Sequence, residues 1–163
     1  MHWLRLSDGR AHRKLVVKSL IYFSKILLEE ASWTRAVEFA DFAIALIQQA
    51  NRAAGRDPDE GTAMIRCNRL WARQKLGKEI RTELAAWDTS RLHKRYKLLR
   101  SVLLKDYRDG ILLLNELLKD GPSGEGANLS LAEIEEWPIF EDLRKSEVYL
   151  DWRGSVAPLL GKG

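Results

Sequence analysis

Cysteine and histidine, two residue types that often carry out nucleophilic or acid–base catalysis, are few in this 163-residue chain. Cys67 is the single cysteine, and the histidines are His2, His12 and His93. Cys67 falls on the apolar side of a helical pattern, as is typical of an inert core thiol, and no histidine stands at a catalytic spacing from it. Motifs for phosphate loops, dinucleotide binding and paired-histidine metal sites are also missing. The sequence therefore predicts a protein that is not an enzyme and that uses no metal and no cofactor.

One pair of residues leaves a catalytic alternative open. Arg5 and His12 are separated by six residues, and this spacing resembles that of the arginine and histidine in the helical HEPN ribonucleases. The resemblance implies an RNA-cleaving site on one helix of a four-helix bundle. Asp8 and Gly9 interrupt the segment between the two residues here, because this pair favours a turn. A ribonuclease is thus the remote alternative.

The formal net charge of +4 conceals a strong division along the chain. Residues 61–105 carry 12 Lys and Arg against 3 Asp and Glu, a net charge of +9. Residues 106–163 carry 6 against 12, a net charge of −6. A basic segment beside an acidic one indicates either attraction within the fold or an oppositely charged partner.

The candidate binding residues lie in the basic segment. Arg66, Arg69 and Arg73 share one face of a predicted helix, and Lys97 and Arg100 lie on a later helix. Arginine suits a protein partner because its planar guanidinium pairs with carboxylates in a bidentate way. An apolar anchor is also needed, and exposed tryptophan often provides one, which makes Trp87 a sixth candidate. These residues predict a non-catalytic scaffold or adaptor that binds an acidic protein surface or peptide.

Two other uses of the same surface remain open. The basic helices could follow the phosphates of RNA while Trp87 or Tyr96 stacks on bases, although the acidic C-terminal third would repel a long backbone. Self-association is also possible, because the ends of a helical array need polar caps.

Helical periodicity dominates the chain, and no alternating pattern predicts a strand. The predicted helices cover residues 13–30, 33–54, 62–76, 78–87, 91–105, 106–119, 130–136 and 138–152. The second has a small stripe with Ala36 and Ala40 and a bulky stripe with Phe39, Phe42 and Leu46, which predicts packing on two sides. The sequence thus predicts an N-terminal extension over 1–12, a single helical domain over 13–153, a flexible loop over 120–128 and a frayed tail over 154–163.

Two segments share a spacing of aromatic and small residues. Trp33 is followed by Ala36 and Ala40, and Tyr107 by Gly110, at the positions that tetratricopeptide repeats use. Over residues 13–120 the chain thus resembles a degenerate tetratricopeptide-repeat (TPR) protein. The resemblance implies antiparallel helix pairs stacked as a short right-handed solenoid that binds proteins or peptides. Gly110 is unfavourable in a helix, and close packing is the expected reason for it.

The C-terminal segment carries a second resemblance. Residues 136–144, which include Trp137, are similar to the closing segment of small bacterial helical-repeat proteins. This similarity implies capping helices over 130–152 and a bacterial adaptor. The chain has no apolar segment of the roughly 20 residues that a bilayer requires, and its first residues do not resemble a signal peptide. The sequence therefore predicts a cytoplasmic protein with no membrane partner.

Overall fold

The computed structural model describes residues 10–90, 92–119 and 130–160, and for residues 10, 11 and 156–160 it describes the backbone alone. Within these ranges the chain is helical and contains no strand, so the predicted all-α class is confirmed. Arg5, most of the N-terminal extension and the predicted flexible loop over 120–128 lie outside the described residues.

The chain divides into two compact units, Met1–Ile80 and Arg81–Gly163. The helices of the first are α1 (Arg10–Glu29), α2 (Trp33–Ala53) and α3 (Ala63–Lys75). Those of the second are α4 (Arg81–Ala86), α5 (Lys94–Leu104), α6 (Tyr107–Lys119), α7 (Leu131–Glu136), a 3₁₀ turn (Pro138–Phe140), α8 (Glu141–Arg144) and α9 (Glu147–Leu160).

In the first unit, α1, α2 and α3 pack against one another around the small stripe of α2. Ala40 and Ala43 are fully buried and form a cluster with Ile47 and with Ile65 of α3. Small side chains at these positions let the helix backbones approach closely, which is why this stripe faces inward. The bulky stripe differs from its prediction, since Phe42 is 61% exposed and is not covered by the described residues.

Polar side chains also lie in the interior of the first unit. Asn68 of α3 donates a hydrogen bond from Nδ2 to Ser24 Oγ of α1 at 2.7 Å, and both side chains are buried. The Ser24 hydroxyl in turn donates to the carbonyl of Ile21 at 2.8 Å. Because a buried polar group without a partner is costly, this pair fixes the register of α1 against α3.

In the second unit, α5 and α6 form an antiparallel pair whose core is mostly leucine. Leu98 and Leu99 of α5 and Leu114 of α6 are fully buried, as is Phe140 from the 3₁₀ turn. Trp152 of α9 is also buried and donates from Nε1 to Asn115 Oδ1 of α6 at 2.8 Å. This hydrogen bond satisfies the indole and ties the last helix to the pair.

The C-terminal helices differ from the single predicted helix over 138–152. The segment is instead a 3₁₀ turn, α8 and α9, with the break at Lys145 and Ser146. Ser146 explains the break, because its hydroxyl donates to the carbonyl of Leu143 at 2.6 Å and accepts from the backbone N–H of Tyr149 at 3.3 Å. A serine so placed caps the start of α9. That helix runs to Leu160, into the segment for which the sequence predicts fraying.

Gly110 of α6 is buried, but close packing does not account for it. A Cβ built at Gly110 would lie 3.7 Å from Leu98 Cδ1 and 3.9 Å from Val102 Cγ2, which are ordinary contact distances. We therefore expect Gly110→Ala to raise the free energy of unfolding by about 0.5–1 kcal/mol, because alanine favours the helix. Urea denaturation measures this change. Gly154→Ala in α9 is the control for helix propensity without packing, because a Cβ built there meets no described atom outside its own helix backbone within 4 Å. A destabilised Gly110→Ala variant would contradict the prediction.

Candidate functional site

The strongest concentration of predicted binding residues lies on α3. Arg66, Arg69 and Arg73 are spaced at i, i+3 and i+7, so they follow one side of the helix. Buried residues including Cys67, Leu70 and Trp71 form the other side and hold the helix against the unit. With Lys75, the helix carries four cations and no acidic residue. We call Arg66, Arg69 and Arg73 the α3 arginine row.

Two members of the α3 arginine row pair with carboxylates of the same unit. Arg66 Nη2 lies 3.1 Å from Asp59 Oδ1, and Arg69 Nε donates to Asp41 Oδ1 on α2. The arginine side chains are 23% and 19% exposed, whereas the aspartates are 58% and 54% exposed. Ion pairs that reach the surface in this way contribute about 0.2–1 kcal/mol each. The pairs therefore orient the guanidinium groups more than they stabilise the fold.

Aromatic rings flank the C-terminal end of the α3 arginine row. Trp33, a predicted repeat anchor at the start of α2, packs edge-to-face on Trp71 with ring centroids 5.1 Å apart. Lys75 Nζ lies 5.0 Å from the centre of the Trp71 ring, a distance typical of a cation–π contact. Ala36 and Ala40, which follow Trp33 in the predicted pattern, are buried on the same helix. These contacts fix the end of α3 against the start of α2.

The other three predicted binding residues belong to the second unit. Trp87 follows α4 and is half-buried, and Lys97 and Arg100 lie half-buried on α5. Arg100 Nε donates to the carbonyl of Leu84 at 3.1 Å, so this guanidinium connects α5 to α4. The structure thus brings Arg66, Arg69 and Arg73 together on one helix and places Trp87, Lys97 and Arg100 in a different unit.

The remaining predicted repeat anchors lie in the interior or at its edge. Tyr107 is half-buried at the start of α6, where burial and then the charge of Asp142 raise the pKa of its hydroxyl. Gly110 is buried one turn further on. Trp137 is buried, and Arg95 lies 5.3 Å from the centre of its ring while pairing with Glu133 at 3.1 Å. These positions pack the fold of the second unit.

The C-terminal segment also contains a tyrosine whose pKa is strongly raised. Tyr149 donates from its hydroxyl to Glu135 Oε1 at 2.9 Å, and the same carboxylate oxygen accepts from Arg153 Nε at 3.0 Å. Burial, followed by the hydrogen bond and the charge of Glu135, raises the pKa of Tyr149 to about 12. A tyrosine held neutral in this way links α7 to α9 and is a structural contact.

Of the residues considered for catalysis, His2 and Arg5 lie outside the described residues, so the spacing of Arg5 and His12 stays a prediction. Cys67 is fully buried, and His12 is exposed on α1. Within the described ranges, no three His, Cys, Asp or Glu side chains are grouped so that they could hold a metal ion. None of the described helices has the length and apolar character needed to cross a membrane.

One exposed apolar surface of the first unit was not predicted from the sequence. Leu15, Tyr22, Phe23 and Phe42 are large apolar residues, yet each is about half or more exposed in the first unit. The sequence does contain a signal for an uncharged strip on α1, because its residues at positions 15, 19, 22, 23 and 26 are all uncharged. An apolar pattern on a helix predicts burial, whereas the exposure of one of its sides depends on which helices pack there.

None of the protein-family models, curated proteins or solved structures with which the chain was compared matches it. The resemblance to TPR proteins therefore depends on the residues quoted for it, and the all-helical architecture is the class that the structure defines.

Proposed function

We propose that this protein is a non-catalytic adaptor that binds an acidic protein surface or peptide through the α3 arginine row. The observation that carries the proposal is the uninterrupted positive charge of α3, on which Arg66, Arg69 and Arg73 share one side and no acid intervenes. The resemblance of residues 13–120 to TPR proteins supports the same function, and in this proposal the protein is a TPR-like solenoid that acts in the bacterial cytoplasm.

The existing ion pairs are compatible with a partner. Asp41 and Asp59 lie at the surface, so solvent already weakens their attraction to Arg69 and Arg66. A carboxylate brought in by a partner would meet the same guanidinium groups in an interface from which water is partly excluded, where a charge-assisted hydrogen bond is stronger. Carboxylates of the partner can therefore replace Asp41 and Asp59 at these arginines, or bind the same guanidinium groups beside them.

The first test is binding of a fluorescent Glu-rich helical peptide, compared with single-stranded RNA of equal charge. Changing Arg66, Arg69 and Arg73 together to glutamate should weaken peptide binding about 10- to 100-fold, because these groups give both attraction and orientation. Fluorescence anisotropy at several salt concentrations measures both ligands. Thermal unfolding by circular dichroism checks that the variant remains folded.

A matched control changes three other arginines of the same unit to glutamate. Arg35, Arg52 and Arg56 are exposed and lie outside α3, so this variant has the same net charge as the first. We expect it to bind the peptide within about 3-fold of the parent, since long-range attraction alone is weakly specific. Equal losses in both variants would show that only total charge matters. Tighter binding of RNA than of the peptide would replace the proposal with nucleic-acid binding.

A further inference from the structure

Two acidic residues of the first unit cover part of the α3 arginine row. Asp41 on α2 pairs with Arg69, and Asp59 in the loop before α3 pairs with Arg66. Both aspartate side chains are more than half exposed, whereas both arginine side chains are less than a quarter exposed. The carboxylates therefore lie on the solvent side of the guanidinium groups, which is the side from which an acidic partner would approach.

Asp59 is fixed by contacts other than its ion pair. Its Oδ1 also accepts a hydrogen bond from Gln48 Nε2 at 2.8 Å. Its backbone N–H donates to Asp57 Oδ1 at 2.9 Å, and its carbonyl accepts from Thr62 Oγ1 at 2.8 Å. Moving this carboxylate away from Arg66 would also break the contact with Gln48, while the loop holds the rest of the residue in place.

Asp41 is held much less firmly. Among the described residues, Arg69 is the one partner that the structure gives its carboxylate, which accepts from Arg69 Nε. The neighbouring Glu38 and Phe42 on α2 are exposed, so rotation about the Cα–Cβ bond of Asp41 can carry the carboxylate into solvent. Of the two acids, Asp41 is thus the one that a partner can displace without breaking another contact.

The weakness of an exposed ion pair sets the strength of this competition. For such pairs the closed state outweighs the open state by about 1.5- to 5-fold. A carboxylate of a partner can take the Nε–H of Arg69 only when the pair with Asp41 is open. The apparent affinity of a partner is therefore reduced in proportion to the open fraction, which amounts to about 2- to 6-fold.

We propose that Asp41 is an intramolecular competitor that sets the affinity and selectivity of the α3 arginine row for acidic partners. A bound partner replaces Asp41 at Arg69, while Asp59 stays on Arg66. A ligand with a single carboxylate gains little, because it exchanges one carboxylate for another. A segment whose acids reach several arginines of the row gains enough to displace Asp41. This inference rests on the proposed function, since it concerns the same arginines.

Neutralising Asp41 tests the competition. Asp41→Asn should bind the fluorescent Glu-rich helical peptide about 2- to 6-fold more tightly than the parent does, as measured by fluorescence anisotropy. The amide oxygen of asparagine can still accept from Arg69 Nε. The variant thus loses the charge of the competitor and keeps an acceptor that orients the guanidinium.

Glu38→Gln is the matched control for net charge. Glu38 lies one turn before Asp41 on α2, is exposed, and pairs with none of the described residues. Both variants raise the net charge by one, so they change the long-range attraction of the peptide equally. We expect Glu38→Gln to change the affinity by less than about 1.5-fold, because solvent and salt screen an exposed charge. Thermal unfolding by circular dichroism checks that both variants are folded.

A second background shows whether the effect passes through Arg69. In Arg69→Gln the protein lacks the group for which Asp41 and the peptide compete. The peptide should bind this variant more weakly, and adding Asp41→Asn should then change the affinity no more than Glu38→Gln does. The affinities of the parent, the two single variants and the double variant give the coupling between Asp41 and Arg69.

Three results would overturn this inference. Equal affinities of Asp41→Asn and Glu38→Gln would exclude competition, and weaker binding by Asp41→Asn would show that Asp41 positions Arg69 for the partner. An undiminished gain in the Arg69→Gln background would place the effect elsewhere. All three leave the proposed function intact, provided that the parent binds the peptide and the triple Arg→Glu variant of the row does not. If neither the parent nor Asp41→Asn binds the peptide, the proposed function fails and this inference fails with it.

Discussion

Replacement of Asn51 by leucine should lower the free energy of unfolding by about 3 kcal/mol. Asn51 is 1% exposed in the last turns of α2, and its Nδ2 donates to the carbonyls of Pro58 at 3.1 Å and Glu60 at 2.9 Å. Its Oδ1 accepts from Arg13 Nη1 of α1 at 2.9 Å. Leucine has a similar size but removes all three hydrogen bonds, and each loss costs about 1 kcal/mol or more. Urea denaturation followed by circular dichroism measures the effect.

The matched control for this prediction is Gln49→Leu, two positions earlier on the same helix. Gln49 is exposed, so its replacement should change the free energy of unfolding by less than about 0.5 kcal/mol. Hydrogen exchange provides a local measurement, because the loop between α2 and α3 should lose protection in Asn51→Leu and keep it in Gln49→Leu. Equal stability of the two variants would show that Asn51 does not hold the loop.

The loop itself was predictable, but the residue that holds it was not. Gly55, Pro58 and Gly61 mark the end of one helix and the start of the next, because these residues favour turns. Gly55 and Gly61 both have positive φ, as their residue type allows. The role of Asn51 depends on the loop folding back over the end of α2, which brings the carbonyl of Glu60 to a residue nine positions earlier. Such a tertiary contact leaves no periodic signal.

In the α3 arginine row, too, the local arrangement was predictable from the sequence, but the tertiary partners were not. The spacing of Arg66, Arg69 and Arg73 predicts a common side from helical geometry alone. The carboxylate that pairs with Arg69 belongs to Asp41, which is 28 residues earlier on α2. This partner follows from the packing of α2 against α3 and could not be found from local sequence. Net charge over a segment therefore indicates where cations are concentrated, but not how many of them are already paired.

The break before α9 had a local signal that the broader pattern concealed. Apolar residues at helical spacing over 138–152 favour one continuous helix. Ser146 followed by Glu147 is, however, also a typical start of a helix, because serine caps the backbone and an acid favours the first turn. The break turns Tyr149 and Trp152 toward Glu135 and Asn115, their hydrogen-bond partners. Capping residues thus decided the structure where periodicity was ambiguous.

Phe140→Ala should lower the free energy of unfolding of the second unit by about 3–5 kcal/mol, the largest effect we expect from a single substitution. Phe140 is fully buried at the end of the 3₁₀ turn, beside Ile139, which is 1% exposed. Alanine would remove most of the buried ring and leave a cavity, because the helices around the turn cannot fully close over it. Urea denaturation followed by tryptophan fluorescence measures the change, because Trp137 and Trp152 are both buried in this unit.

Leu112→Ala is the control for this substitution, because Leu112 lies on α6 of the same unit and is 64% exposed. It should change stability by less than about 0.5 kcal/mol, since little apolar surface is withdrawn from water at that position. Phe140→Leu should fall between the two, because leucine fills part of the cavity. A loss below about 1 kcal/mol for Phe140→Ala would show that the 3₁₀ turn does not pack into the core. In that case the core of the second unit would depend on the leucines of α5 and α6 together with Trp152 of α9, and the 3₁₀ turn would unfold before the helix pair.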